Sequence, residues 1–98
     1  MRNVDPEVAA RVRSEARRLA ELRPGKAIEL RIPPYTAVQL GTDQGGPTHR
    51  RGTPPTVVEM DAQTFLALVD KTLSWQEALH NHQVSASGAH ADLTDLFA

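Results

Sequence analysis

From Met60 to Phe97 the apolar residues change their spacing repeatedly, and no all-helical or all-strand fold accommodates that. Phe65, Leu66, Leu68 and Val69 recur at helical spacing behind Asp61, a good helix cap. Ser74-Trp-Gln-Glu77 has capping-box spacing, with Trp75, Ala78 and Leu79 expected to face inward. Gln83 to Ser87 then alternates, Val84 and Ala86 against polar neighbours, which predicts a strand with one covered face. Gly88 permits a turn that other residues resist. Leu93, Leu96 and Phe97 predict a short amphipathic C-terminal helix. Helix, tight link, short helix, strand, turn and helix require a mixed α/β (α+β) domain.

The first half agrees. Asp5-Pro6 reads as an N-cap followed by proline at the first helical position, and Glu7 sits where the helix dipole favours an acid. Val8, Val12, Ala16 and Leu19 form one thin stripe, suited to close packing on a sheet or on a second subunit. Pro24-Gly25 ends this helix. Ile28, Leu30 and Ile32 alternate with Glu29 and Arg31, which predicts a half-buried strand. Pro33-Pro34 interrupts pairing, and Tyr35 to Leu40 predicts a second strand, antiparallel to the first. Residues 41–55 are too rich in glycine and proline for a helix, with a short strand around Thr48–Arg51 possible. Thr56 to Met60 predicts a central strand.

A chain of 98 residues makes a single domain. Its expected parts are an N-terminal helix (1–24), strands with a long loop (25–60) and a helix–helix–strand–helix unit (61–98). No cysteine is present, so disulfide and thiolate chemistry are excluded and a cytoplasmic location is expected. The formal net charge of -1 argues against a general nucleic-acid binder. No apolar run is long enough to span a bilayer, so stable membrane insertion is not expected. Charge is uneven: Arg2, Arg11, Arg13, Arg17, Arg18, Arg23, Lys26 and Arg31 crowd the N-terminal third, whereas Lys71 is alone among the acids after Met60. Such polarity serves either as a solvated helix face or as a homodimer contact through the N-terminal helix.

The C-terminal succession resembles the sterol carrier protein superfamily. In that family an aspartate opens the helix after the central strand, as Asp61 does here. A short helix with an alanine near Ala78 follows, then a strand ending in Ser87-Gly88. The chain is more closely similar to small actinobacterial sterol carrier family proteins, through Ile32-Pro33-Pro34-Tyr35 and the Arg51 to Glu59 run, over residues 28–97. It departs from the general family at Asp70-Lys71 and Asn81-His82-Gln83, where glycines are usual, and in ending its last helix at Phe97.

The resemblance implies a mostly antiparallel, curved sheet of four to five strands with helices on one face. It also implies non-enzymatic binding or transfer of a fatty acyl or similar lipid, without a cofactor. Alternatively the domain has lost its tunnel and serves as an interaction or accessory unit, a homodimer or an enzyme's partner. A tunnel between helices and sheet would be lined by Val58, Met60, Phe65, Leu68, Val69, Trp75, Leu79, Leu93, Leu96 and Phe97. The same side chains would equally fill a core.

Among polar groups, His49-Arg50-Arg51-Gly52 suits a carboxylate or phosphate headgroup, with Arg50 and Arg51 as donors. Pairing of Arg51 with Glu59 or Asp61 is the structural alternative. His80 and His82 lack further ligands at useful spacing, and His90 joins them only by folding, so no metal site is expected. Ser85, Ser87 and His90 lack a nucleophile elbow. Glu59 and Asp61 form an acidic pair in which Asp61 is already explained as a cap, and Tyr35 is expected to pack on the sheet.

Overall fold

The computed structural model describes residues 5–41, 56–87 and 92–97. Helix α1 spans Pro6–Leu22. Strands β1 (Ile28–Ile32), β2 (Thr36–Leu40) and β3 (Thr56–Met60) follow, then helices α2 (Ala62–Val69) and α3 (Trp75–His80), strand β4 (Val84–Ser87) and a 3₁₀ turn, Thr94–Phe97. The strands form one open sheet in the order β2-β1-β3-β4. β1 pairs antiparallel with β2 and parallel with β3, and β3 pairs antiparallel with β4. The sheet is therefore mixed, and β3 is interior as the sequence predicts. The possible strand at Thr48–Arg51 lies outside the described residues.

Strand alternation decides which face is covered. Ile28, Leu30, Ile32, Leu40, Val58, Met60 and Val84 turn inward to one continuous core. Glu29, Arg31, Gln39, Glu59 and Ser85 belong to the opposite face. The helices supply the other half of the core: Val12, Ala16 and Leu19 from α1, Phe65 and Leu68 from α2, Trp75 and Ala78 from α3. The α1 stripe is spent within the chain, on β2 and α2. Arg11 of α1 reaches Asp70 at the end of α2 and hydrogen-bonds it. Small side chains at Ala9 and Ala16 allow the close approach that the thin stripe predicts.

The turns have local causes. The Asp5 carboxylate accepts from the Glu7 and Val8 N–H groups, and Asp61 accepts from the Thr64 N–H at 2.8 Å. Between β1 and β2, the Tyr35 N–H donates to the Ile32 carbonyl at 2.9 Å across a cis Pro33–Pro34 bond. Gly41 lies where two backbone segments meet: its N–H donates to the Arg23 carbonyl at 2.7 Å. A Cβ there would stand 2.3 Å from the Pro24 carbonyl oxygen, so a side chain has no room.

Two expectations are corrected, and the helix links show how glycine is replaced. Ala86 is exposed although it pairs with buried Val58, because β4 is the last strand of the sheet among the described residues and only Val84 lies under cover. The final segment is one 3₁₀ turn, since four residues cannot complete a stable α-helical nucleus. The helix links lack glycine yet adopt the backbone that glycine favours: Lys71 has φ 63° and His82 φ 58°.

Both links close in the same way. The Thr72 and Lys71 N–H groups donate to the carbonyls of Ala67 and Leu68. The Gln83 and His82 N–H groups donate to those of Ala78 and Leu79. Each pair satisfies carbonyls that a helix end leaves without partners.

Candidate functional site

The apolar site is assembled from three elements and one strand. The Asp61 cap starts α2 so that Phe65 and Leu68, three residues apart, share its buried face. The reciprocal Ser74–Glu77 box starts α3 and sets Trp75 and Ala78 inward: the Glu77 N–H donates to Ser74 Oγ at 3.1 Å, and the Ser74 N–H to the Glu77 carboxylate at 2.9 Å. The Ser74 backbone N–H foremost, and then the Ser74 side chain, hold the Glu77 carboxyl below its ordinary pKa. β3 contributes Val58 and Met60 from below.

The 3₁₀ turn closes the cluster. The Phe97 ring stacks on Trp75, centroids 6.1 Å apart and 15° from parallel. It meets Phe65 edge-on at 6.3 Å and 83°. Both geometries suit the ring quadrupoles. Leu93, just before the turn, is fully buried. Asp92 opens the turn, accepting from the Thr94 hydroxyl and from its N–H at 2.9 Å. The Thr94 hydroxyl, then its N–H, lower the Asp92 pKa, and the charge of Arg23 adds to this. Gln76 on α3 reaches the Thr94 hydroxyl at 3.3 Å. Burial of the Leu93 and Phe97 side chains anchors the turn to the core.

Most of the expected lining residues converge. Val58, Met60, Phe65, Leu68, Trp75, Leu93 and Phe97 are buried in one cluster, and Val69 and Leu96 pack half-buried against it. Leu79 does not join them and is 41% exposed. α3 has only six residues, and its buried line runs through Trp75 and Ala78. Leu79 falls on the solvent flank of that line.

The polar candidates among the described residues stand apart from this cluster. Arg50 and Arg51, the expected headgroup donors, lie outside the described residues, as do His49, Gly52 and His90. His80 and His82 are exposed, His82 being the left-handed residue of the second link. Ser85 pairs with Glu59 and Ser87 with Val57 on the β3–β4 ladder. Asp61 caps α2, and Glu59 is exposed on β3. Sequence reasoning missed the arrangement of Arg31, Glu59 and the Pro33–Tyr35 turn, which only strand register reveals.

No helix among the described residues is long and apolar enough to cross a membrane. Residues 5–98 match a family described as bacterial SCP orthologs, and the chain belongs to that sterol carrier protein-like family. No curated protein matches the chain.

Proposed function

We propose that this member of the bacterial SCP-ortholog family binds an apolar, fatty-acyl-like ligand without catalysing a reaction. The ligand occupies the interior between β3, α2 and α3 and is admitted when the last turn moves aside. Family membership supports a lipid-binding role. The observation that carries the reading is the closure of an aromatic and aliphatic cluster by a single 3₁₀ turn, through Phe97 stacked on Trp75. A wall made of one turn opens at lower cost than one made of a strand or a long helix. Withdrawing Phe97, with Leu93 and Leu96, leaves Trp75, Phe65, Leu68, Val69, Met60 and Val58 as apolar walls. Such a site recognises shape and apolarity, so it suits an acyl chain. Arg50 and Arg51 are proposed to meet the acyl headgroup.

Native mass spectrometry of protein purified from cells tests this, together with titration of the fluorescent fatty acid cis-parinaric acid. A lipid-mass adduct that leaves on denaturation, or saturable fatty-acid binding, is expected. A clean unliganded mass with no saturable binding by the wild type or Phe97→Ala overturns the reading. A dimer of that mass would favour the interaction-unit alternative.

A further inference from the structure

The outer sheet face carries a concavity, across the sheet from the apolar core. It is an open cleft of about 360 Å³ lined by Arg31, Pro33, Pro34, Tyr35, Ala37 and Glu59 among others. That volume is within the range of small-molecule sites, roughly 300–1,000 Å³. Sheet register builds it: Arg31 on β1 lies opposite Ala37 on β2 and opposite Glu59 on β3. The β1–β2 turn supplies the wall, two prolines and a tyrosine. Arg13 of α1 steadies that turn by donating to the Tyr35 carbonyl at 3.3 Å.

The charges here are unequal in availability. Arg31 Nε is already bonded to the Glu29 carboxylate at 2.9 Å, and this bond is the main reason its pKa is raised. Glu59 contributes to Arg31 only through its field, and no ion pair engages it among the described residues. Arg31 with Glu29 is a neutral pair, so among the described residues the cleft presents one carboxylate outside any ion pair, beside an apolar wall and a phenol ring. A carboxylate attracts ammonium groups, and a tyrosine face attracts cations as well. An anion would meet an Arg31 whose charge is already paired with Glu29, and would face Glu59 beside it.

We propose that this cleft binds a small organic ammonium compound with an apolar or aromatic body. Its ammonium sits on Glu59 and its body lies against Pro33, Pro34 and Tyr35. The site is separate from the proposed acyl interior, and neither reading depends on the other.

The test is a ¹⁵N–¹H NMR titration of the full chain with phenethylammonium, 2-phenylethanol and phenylacetate. These probes carry the same ring with a positive, neutral or negative end. Phenethylammonium is expected to shift the amides of Tyr35, Ala37 and Glu59 saturably. Glu59→Gln, isosteric and at an exposed position, should weaken it about tenfold while leaving the rest of the spectrum in place. Equal binding of phenylacetate or phenylethanol, unchanged affinity in Glu59→Gln, or no saturable shift of these amides overturns the proposal.

Discussion

Phe97 does more than any other residue to close the apolar cluster, since it touches both other rings of that cluster. Phe97→Ala should cost about 3 kcal/mol of stability, the low end for losing a buried phenylalanine, measured by urea unfolding. It should also move Trp75 fluorescence to longer wavelength, because the indole loses its stacked cover. Asp92, Glu77 and Asp70 add a dependence on acid. Each is held below its ordinary pKa, by the Thr94 hydroxyl, the Ser74 N–H and the Arg11 guanidinium respectively. The folded chain thus takes up these protons less readily than the unfolded chain. Their stabilisation is complete above the ordinary carboxylate values of about 4 and is lost as pH falls through the lowered folded values. Thermal melts are expected to be flat with pH near neutrality and to fall below about pH 4. Asp92→Asn should flatten part of that acid slope, and an unchanged slope would remove Asp92 from the account.

At the scale of elements, α2 and α3 are organised alike: a side-chain cap at the start, a left-handed residue past the end. The starts are legible in sequence because a cap is a contact between residues three apart. The ends are not, because lysine and histidine occupy positions where glycine is the usual signal. The two helices must reverse within a few residues for Trp75 and Val84 both to reach the core. That demand overrides the local preference of Lys71 and His82. His82→Gly should relieve the unfavourable backbone and raise stability by about 0.5–1 kcal/mol, after the entropy glycine loses on folding. No gain in the urea midpoint would show that His82 is compensated elsewhere.

For the whole molecule, the sheet separates two environments: an apolar interior under the helices and a polar outer face with its own cleft. Ala78 is fully buried and packed in the core cluster. Ala78→Phe is therefore expected to lose about 1–3 kcal/mol by overpacking, so it tests packing and not ligand entry alone. A ligand held in the interior should stabilise the entire fold, by about 2.7 kcal/mol at a hundredfold excess over its Kd. Thermal shift with added fatty acid reads this directly. A melt unmoved by a fatty acid shown to bind would mean that the unfolded chain binds it equally well, which a site built by the fold does not allow.

The residues alone determined the strands, the helix starts and most of the core, because alternation, capping and helical spacing act between near neighbours. Ile28, Leu30 and Ile32, the Asp5 and Asp61 caps and the Ser74–Glu77 box are of this kind. Tertiary structure decided the parallel neighbourhood of β1 and β3, the exposure of Leu79 and Ala86 and the left-handed links. It also decided the meeting of Arg31 with Glu59 and the closure by Phe97. Each depends on contacts between residues far apart in the chain, whose placement follows from how the elements share one buried face.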